Sequence, residues 1–472
     1  MTRNTLNRRE FLKLAGAGAA ALTIPLSGMP SWAEGSRRPN VIFIIADDLG
    51  YGELGMQGNK QIPTPNVDSI AKNGVRFTNG YVSCPVCSPT RAGINTGRYQ
   101  QRFGHEFNPG MPGNASEVFG LPLTETFAAA RFKAAGYSTG CVGKWHLGYT
   151  KGYMPLDRGY DEFFGFPGGA HGYIGEGAGE GNHMMRGNDP VDEKEYLTDA
   201  FGREAVSFIE RHKEKPFFLY LAFNAVHSPL QSIQKYLDRF PQITDQKRRT
   251  FAAMESAMDD AVGKVLDTLR KNGLEEDTLI YFVSDNGGPT QSTTSKNDPL
   301  HGYKAQTYEG GIRTPSAVQW KGQIPAGKVY DKPVIALDMA PTALAAAGIK
   351  AEDAKFDGVN LLPFLKGDSG TPHDVLYWRY GAQYAIRKGD WKLMKGPEGT
   401  TLLYNLADDI GEKNDLYAKN PEKVKELSDI YEKWNAQLVP PLWHRQPGPK
   451  QNRAVKKGGR KNRKNAAAVG EE

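Results

Sequence analysis

The chain has 472 residues, of which 39% are hydrophobic and 24% are charged. This composition supports a buried core and excludes the class of disordered proteins of low hydrophobicity. The 54 glycines and 30 prolines follow no period, which argues against fibrous and repeat proteins. Three cysteines are too few for a disulfide framework.

The net charge of +6 comes from the two ends of the chain. Residues 450–472 carry eight Lys or Arg and two Glu, residues 1–33 carry four Lys or Arg and one Glu, and residues 34–449 therefore have a net charge of −3. A mildly acidic body is not typical of a nucleic-acid-binding protein, and we expect no nucleic-acid partner. Residues 446–472 are predicted to form a basic, disordered tail, with a role in holding acidic polymers as the alternative.

The N-terminus has the pattern of a twin-arginine export signal over residues 1–33. Arg8 and Arg9 precede a weakly apolar Ala- and Gly-rich stretch, and residues 31–33 form a small-x-small cleavage site. The stretch is too short and too interrupted by Gly and Pro to span a membrane. We therefore expect the twin-arginine translocase as a partner and a mature protein that is periplasmic or secreted, not transmembrane. A basic, disordered start is the alternative.

Four short apolar runs are typical of strands buried on both faces of a parallel sheet. They cover residues 40–46, 137–143, 217–223 and 278–283. Between them, residues 124–135 are predicted to form a helix that Thr124 caps and Gly136 ends, and residues 255–272 a second helix. This alternation predicts an α/β fold with a large mixed, mostly parallel sheet flanked by helices.

Polar side chains follow each of these strands directly or within a few residues: Asp47 and Asp48, Lys144 and His146, His227, and Asp285 and Asn286. In α/β sheets the ligand crevice lies outside the carboxyl ends of the strands, so we expect one converging site. Independent surface turns are the alternative. The aspartates and the asparagine offer only oxygen ligands, which suits a hard divalent cation, and calcium more readily than magnesium.

The sequence Cys-Ser-Pro-Thr-Arg at residues 87–91 is the sharpest signal for chemistry. Ser88 as cap and Pro89 as first helical residue predict a short helix that runs to about residue 95. Cys87 would then lie at a helix N-terminus, where backbone amides favour negative charge, with Arg91 on the next turn. This arrangement favours a nucleophile directed at an anion. Because Cys84 and Cys87 also form a C-x-x-C, a thiol redox pair is the alternative.

These motifs resemble those of the type I sulfatases of the alkaline phosphatase superfamily. Residues 87–97 match the signature C-x-P-x-R-x-x-x-x-T-G throughout, and residues 136–148 match the second signature of that family. Asp47 and Asp48, residues 227–229, 284–287 and 308–315 also fit in order and spacing. The likeness spans roughly residues 38 to 440 and omits both basic ends.

In that family the signature cysteine is oxidised to formylglycine, whose hydrate is the nucleophile, so the resemblance implies formylglycine at Cys87 and a formylglycine-generating maturation enzyme as a partner. A serine-type alcohol would end as a stable sulfate ester. A gem-diol keeps a spare hydroxyl that can collapse to the aldehyde and expel sulfate by C–O cleavage, so covalent catalysis divides into two easy steps.

The resemblance also implies one Ca²⁺ ion held by side-chain oxygens and by modified Cys87: Asp47, Asp48, Asp285 and Asn286. The cation would polarise the sulfuryl oxygens and favour the ionised hydroxyl, whose proton Asp285 would accept. The remaining site residues are basic: Arg91, Lys144, His146, His227 and Lys304. Arg91 would stabilise the hydrate and His146 would take the proton of the second hydroxyl. Lys144 and Lys304 would clamp the sulfate, and His227 would protonate the departing alkoxide.

A change of pattern near residue 370 predicts a small C-terminal α+β subdomain, an antiparallel sheet plus a helix. Short strands are expected within residues 373–386, 391–395 and 401–406, and an amphipathic helix at 421–437. We therefore divide the chain into an export signal at 1–33, a catalytic domain at 34–370, this subdomain at 371–445 and the basic tail at 446–472.

The function that the resemblance implies is that of an exported, calcium-dependent sulfatase, a sulfuric ester hydrolase. A glycine-rich insertion around residues 167–185 is of the kind that walls a substrate pocket, so we expect a sulfated sugar or polysaccharide as substrate. His105 and His171 are predicted substrate contacts. A phosphate or phosphonate monoester hydrolase of the same superfamily and a non-catalytic, calcium-containing glycan-binding protein are the alternatives.

Overall fold

A computed structural model of the protein describes residues 37–110, 119–175 and 182–444, so the predicted signal at 1–33 and the predicted tail at 446–472 lie outside the described residues. The strands are β1 Asn40–Ala46, β2 Val75–Phe77, β3 Gly80–Tyr81, β4 Ser138–Lys144, β5 Glu162–Phe166, β6 Met185–Arg186, β7 Asp189–Pro190, β8 Phe217–Ala222, β9 Thr278–Ser284, β10 Ser316–Gln319, β11 Lys328–Tyr330, β12 Val334–Ile335, β13 Val375–Tyr380, β14 Gln383–Lys388, β15 Trp391–Lys395 and β16 Thr401–Asn405. The helices are α1 Pro65–Lys72, α2 Cys87–Thr96, α3 Ala128–Ala134, α4 Leu197–His212, α5 Gln234–Leu237, α6 Gln246–Lys271, α7 Thr290–Thr293, α8 Glu309–Ile312, α9 Met339–Ala346, α10 Leu362–Lys366 and α11 Pro421–Asn435.

The main sheet has ten strands in the order β11-β2-β10-β9-β1-β8-β4-β5-β6-β7. Its central strands β9, β1, β8, β4 and β5 run parallel, whereas β10 is antiparallel to both of its neighbours and β6 and β7 close one edge as antiparallel strands. The predicted large mixed, mostly parallel sheet is confirmed. The carboxyl ends of β1, β4, β8 and β9 consequently lie at the same end of the sheet.

Strand β1 illustrates why the central strands are apolar throughout. Ile42 and Ile44 belong to the core that α4 and α6 cover, whereas Val41, Phe43 and Ile45 belong to the core on the opposite face, beneath α2, α3 and α9. Because helices cover both faces of the sheet, a polar side chain on either face would be removed from water without a partner. The continuous apolar runs are therefore a direct consequence of this layered architecture.

The C-terminal part forms a four-stranded antiparallel sheet, β13-β14-β15-β16, which packs against α11. Trp378 of this sheet is completely buried and donates its indole N–H to the carbonyl oxygen of Val82 at 2.7 Å. Tyr81 and Tyr99 of the preceding part belong to the same apolar cluster. The predicted C-terminal sheet and helix are thus confirmed, while the domain boundary near residue 370 stays a prediction.

The predicted helix at residues 124–135 is wrong at its start. Helix α3 begins only at Ala128, Thr124 lies in the preceding turn, and Gly136 ends the helix in a left-handed conformation with φ of 86°. Arg158 donates to the carbonyl oxygens of Pro122 and Glu125 at 3.1 and 2.8 Å. These contacts hold Pro122 and Glu125 in the turn that precedes the helix.

The second predicted helix is longer than expected. Helix α6 begins at Gln246, because Asp245 caps it by accepting a hydrogen bond from the backbone N–H of Arg248 at 2.6 Å. The first turns are strongly charged, and Arg248 is nevertheless buried because Glu53 pairs with its guanidinium at 2.7 Å. Within the described ranges, no helix has the length and apolar character needed to cross a membrane.

Candidate active site

The shared end of β1, β4, β8 and β9 gathers acidic, basic and thiol side chains. One potential ligand atom from each of Asp47, Asp48, Cys87 and His227 lies within 4.8 Å of the other three. Asp47 and Asp48 follow β1 directly, and Cys87 is the first residue of α2. Asp48 has a φ of 63°, a left-handed backbone conformation that is costly for a non-glycine residue and is concentrated at functional sites.

The guanidinium of Arg91 links two of these strand ends. Its Nε and Nη2 atoms lie 2.9 and 2.7 Å from Oδ2 of Asp285, and Nη1 donates to the carbonyl oxygen of Lys144 at 3.1 Å. All side-chain atoms of Arg91 and Asp285 are buried. Burial, and then the Asp47 carboxylate, raise the pKa of Asp285, and Arg91 opposes this effect. Arg91 thus holds the carboxylate that follows β9 in a fixed orientation.

Two lysines neutralise the aspartate pair that follows β1. Lys144 Nζ lies 2.6 Å from Oδ2 of Asp47, and Lys304 Nζ lies 2.6 Å from Oδ1 of Asp48. Lys304 Nζ is also 3.3 Å from Cys87 Sγ. Burial alone would raise the pKa of Asp48, but Lys304 and then His227 and Lys144 outweigh it and hold that pKa well below its usual range. Asp48 is therefore an anion, and the site combines compact negative charge with two ammonium groups.

Cys87 lies inside this cluster and is 1% exposed. Burial raises the pKa of its thiol to about 12, although Lys144 and Lys304 act in the opposite direction. The unmodified side chain is therefore a protonated thiol near neutral pH, and a thiol is a much weaker nucleophile than a thiolate. Cys84, Cys87 and Cys141 are all buried, and none of them forms a disulfide.

The predicted position of Cys87 at a helix N-terminus is confirmed, but the predicted cap is wrong. Helix α2 begins at Cys87, and Ser88 lies within its first turn. The Ser88 hydroxyl donates to the carbonyl oxygen of His146 at 2.5 Å and contacts Nε2 of His105 at 2.6 Å. Asn108 Oδ1 accepts the backbone N–H of Ser88 at 3.0 Å. One backbone N–H of the first turn is therefore satisfied by a side chain that follows the helix in the chain.

The two histidines at the strand ends are held by different contacts. His146 is 4% exposed, and Nδ1 of its ring has no hydrogen-bond partner among residues 37–110, 119–175 and 182–444. Burial, and then Lys144 and Arg91, hold the pKa of His146 well below its usual range. His227 donates from Nδ1 to the carbonyl oxygen of Ser228 at 2.6 Å, and its Nε2 lies 3.6 Å from Oδ2 of Asp48. Burial lowers the pKa of His227 to about 3, although Asp48 opposes it.

Neither of the two predicted substrate contacts belongs to the cluster of four ligand atoms. His105 is completely buried, with its ring centroid 4.8 Å from that of Trp443, and its burial lowers its pKa to about 3. His171 is 5% exposed, contacts the Phe166 ring and donates from Nδ1 to the carbonyl oxygen of Gly172 at 2.7 Å. Their roles as substrate contacts stay predictions.

Sequence patterns did not indicate Tyr173, although it touches the site's framework. Its buried hydroxyl lies 2.8 Å from the carbonyl oxygen of His227 and also contacts that of Asn224. The loop before it contains Gly169, where an added Cβ would lie 2.5 Å from the imidazole of His146. In the sequence, the glycine-rich insertion indicated a pocket wall. It did not indicate that one of its glycines allows close contact with the His146 ring.

The residues present fit a calcium ion by the chemistry of their donor atoms. Asp47, Asp48, Asp285 and Asn286 supply buried oxygen atoms, which hard divalent cations prefer. Asn286 donates from Nδ2 to Oδ1 of Asp48 at 2.7 Å, so its amide is oriented by the neighbouring aspartate. Its Oδ1 atom is buried and accepts no hydrogen bond in the described part of the chain. A buried amide oxygen without a donor is a suitable metal ligand.

Comparisons with known proteins agree with this geometry. The model of the Sulfatase family matches residues 39–349, and that of the N-sulphoglucosamine sulphohydrolase C-terminal region matches residues 301–438. The uncharacterized sulfatase YdeN of Escherichia coli K12 is 32% identical, over 86% of this chain and 87% of that protein. The N-acetylgalactosamine-6-sulfatase of Homo sapiens is 34% identical, over 75% of this chain and 71% of that protein.

Solved structures give the same result. The crystal structure of Ps i-CgsB in complex with k-i-k-neocarrahexaose superposes with a TM-score of 0.82 at 38% identity, covering 87% of this chain and 95% of that one. The PsFucS1 sulfatase from Pseudoalteromonas sp. has a TM-score of 0.73 at 26% identity, covering 85% and 90%. The chain therefore belongs to the sulfatase family of the alkaline phosphatase superfamily. It is a sulfuric ester hydrolase.

Proposed function

We propose that the protein is an exported, calcium-dependent sulfatase that removes sulfate from a sulfated sugar or polysaccharide, with formylglycine made from Cys87 as its nucleophile. The observation that carries this proposal is the cluster of Asp47, Asp48, Cys87 and His227, whose ligand atoms lie within 4.8 Å of one another. The cluster places carboxylate oxygens suited to a hard cation beside Cys87, the cysteine that the family oxidises to formylglycine. A maturation enzyme that modifies Cys87 and the twin-arginine translocase are the partners that this proposal requires.

Two groups that the chain acquires would complete the site. Calcium would be held by Asp47, Asp48, Asp285 and Asn286, and it would supply positive charge next to the sulfuryl oxygens. Formylglycine would supply a nucleophilic oxygen at position 87, where the thiol of the unmodified chain is buried. Arg91 would support both groups, because it fixes Asp285 and lies on the second turn of the helix that begins at Cys87.

The chain's own basic residues would bind the ester and handle its protons. Lys144 and Lys304 bring two ammonium groups to the aspartate pair, and a sulfate ester would give them a further anionic partner whose charge grows as the S–O bond breaks. A bound anionic ester would raise the pKa of His227, and its Nε2, which faces Asp48 at 3.6 Å, would then protonate the departing alkoxide. His146 would take up the proton that must leave the nucleophile before sulfate is released.

Sulfated carbohydrate is the substrate class that the relatives support. Ps i-CgsB forms a crystalline complex with k-i-k-neocarrahexaose, and other relatives are N-acetylgalactosamine-6-sulfatases. A sugar hydroxyl is a poor leaving group, so such a substrate makes use of a general acid at His227. A structural neighbour that hydrolyses phosphonate monoesters is only 20% identical and shares the fold alone.

The experiment is desulfation of a panel of sulfated oligosaccharides of known linkage by the purified full-length protein, with sulfate release and phosphate release measured in parallel. The expected result is sulfate release, and a mass of the Cys87 peptide that corresponds to formylglycine. The Cys87→Ala variant should lose activity by about a thousandfold or more. The Cys84→Ala variant is the matched control, because Cys84 is an equally buried cysteine three residues away, and it should remain active.

Other outcomes would contradict the proposal in separate ways. Faster turnover of phosphate esters than of sulfate esters would indicate a phosphomonoester or phosphonate hydrolase. Glycan binding without turnover, together with an unmodified Cys87 in the natively exported protein, would indicate a non-catalytic binding protein. Loss of activity on replacement of Cys84 would support a thiol redox pair.

A further inference from the structure

Lys304 lies on the loop between α7 and α8. Its ammonium group is 2.6 Å from Oδ1 of Asp48 and 3.3 Å from Cys87 Sγ, and its side chain is largely buried. A lysine side chain has a flexible four-carbon stem, so both contacts depend on where the backbone holds residue 304. The neighbours that fix this backbone therefore influence the active site.

The residue after Lys304 is held in an unfavourable conformation. Ala305 has a φ of 68°, in the left-handed region that the Cβ atom of an alanine disfavours. Such a conformation persists only when the surrounding structure holds it. One restraint comes from the segment before the nucleophile helix, where the carbonyl oxygen of Pro85 accepts the backbone N–H of Ala305 at 2.8 Å.

The other restraints come from Gln383, the first residue of β14 in the C-terminal sheet. Its Nε2 atom donates to the carbonyl oxygen of Ala305 at 2.9 Å, and its Oε1 atom accepts the backbone N–H of Thr307 at 3.2 Å. The Gln383 side chain is buried. One amide from the C-terminal sheet thus pairs with two backbone groups of the segment that directly follows Lys304.

A side chain without this amide could not replace these contacts. Backbone groups removed from water need partners, and a glutamine supplies a donor and an acceptor on one group. An aliphatic side chain of the same size would leave the carbonyl of Ala305 and the N–H of Thr307 unpaired. The segment would then relax towards conformations in which these groups find other partners, and the ammonium group of Lys304 would move with it.

We propose that Gln383 positions Lys304 for the sulfate ester, so that the C-terminal sheet contributes to catalysis through the backbone of residues 305–307. This inference rests on the role that the proposed function gives to Lys304. Gln383 acts through the loop and is a positioning residue. A displacement of about 1 Å in a group that contacts the reacting ester lowers the rate by up to about a hundredfold, which sets the scale of the expected effect.

The test compares Gln383→Met, which keeps the size of the side chain and removes both hydrogen bonds, with Gln101→Met. Gln101 is the matched control because it is also buried and joins the same two parts of the molecule, donating to the carbonyl oxygen of Arg379 at 2.8 Å. We expect kcat/KM for a sulfated disaccharide to fall about 10- to 100-fold in Gln383→Met and less than about threefold in Gln101→Met. Gln383→Glu keeps the acceptor for Thr307 but has no donor for Ala305, and it should lie between Gln383→Met and the wild type.

A double-mutant cycle distinguishes positioning from a general loss of structure. Lys304→Ala removes the ammonium group, so adding Gln383→Met to it should change kcat/KM less than about threefold. Additive losses in the cycle would overturn the inference, because Gln383 would then act elsewhere. Equal losses of activity in Gln383→Met and Gln101→Met, with equal falls in melting temperature, would also overturn it.

Acetylation by acetic anhydride reports on Lys304 without any ester hydrolysis. A buried, paired ammonium group reacts slowly, so we expect the acetylation rate of Lys304 to rise about fivefold or more in Gln383→Met. The rate is read by mass spectrometry and normalised to that of Lys321, which pairs with Glu275. An unchanged rate would overturn the inference. A faster reaction in a protein that hydrolyses no sulfate ester would show that the proposed function fails while Gln383 still positions Lys304.

Discussion

Lys392 and Glu309 form a completely buried ion pair, with Lys392 Nζ 2.9 Å from Oε1 of Glu309. The lysine lies in β15 of the C-terminal sheet and the glutamate begins α8, so the pair joins the two parts of the molecule. A second buried carboxylate, that of Glu412, lies 2.7 Å from the same ammonium group. One cation therefore holds two acids between the sheet and the catalytic part.

Replacing this lysine should be strongly destabilising. Lys392→Met leaves two carboxylates without their shared cation, and breaking a buried pair costs about 3–5 kcal/mol. Lys388→Met is the matched control, because Lys388 lies in the neighbouring strand and pairs with Glu426 at the surface, where such a pair contributes at most about 1 kcal/mol. Denaturant unfolding at pH 8 measures the difference. Equal losses for both variants would contradict this role of the buried pair.

The stability of this region should depend on pH in a defined direction. Burial raises the pKa of Glu412 to about 7 from 4.5, although Lys392 attracts its ionised form. The folded protein thus binds more protons than the unfolded chain between these values, and the free energy of unfolding falls as pH rises through that window. Glu309 has the opposite effect. Lys392, Arg313 and Arg387 outweigh its burial and lower its pKa to about 2. Its contribution to the free energy of unfolding is therefore lost only as pH falls below 4.5.

The variant Glu412→Gln isolates the first effect. It should remove about 3 kcal/mol of the decline in stability between pH 4.5 and 7, measured by denaturant unfolding across that range. An unchanged pH profile would show that Glu412 is not the group that titrates.

Tyr173 should influence catalysis through the backbone of His227. Tyr173→Phe removes the hydroxyl that lies 2.8 Å from the carbonyl oxygen of His227, and we expect kcat/KM to fall about 5- to 30-fold, mainly in kcat. Tyr196→Phe is the control, because Tyr196 stacks on Tyr173 but its hydroxyl donates to the carbonyl oxygen of Gln231. Loss of that hydroxyl should lower kcat/KM less than about twofold. If the two variants lose equal activity and equal stability, Tyr173 has only a structural role.

Removal of calcium should lower both activity and thermal stability. The apparent melting temperature should fall on treatment with a chelator and rise again with Ca²⁺, since an ion at 100 times its Kd stabilises the folded state by about 2.7 kcal/mol. Asp48→Asn should abolish this calcium-dependent shift. Asp259→Asn should keep it, because Asp259 is a buried aspartate that accepts the backbone N–H of Val67 at the start of α1. A melting temperature indifferent to the chelator would count against a calcium site.

Local sequence was sufficient for the four central strands β1, β4, β8 and β9 and for the polar residues that follow them. The apolar run at residues 40–46 predicts β1 with the same bounds as the structure, because burial on both faces imposes a continuous apolar pattern. The position of Cys87 at a helix N-terminus follows equally from its neighbours, since Pro favours the first turn of a helix. The polar residues after each strand were identifiable because parallel strands place their carboxyl ends together.

The contacts that hold these residues in position became visible only in the folded chain. Asn108 accepts a backbone N–H of α2 from 20 positions away, Tyr173 supports His227 from 54 positions away, and Lys392 pairs with Glu309 across 83 positions. Periodicity and capping patterns report only on neighbours within a few residues, whereas these contacts depend on where the chain returns. Local patterns therefore indicate the central strands and the candidate side chains beside them, and tertiary packing sets how those side chains are oriented and neutralised.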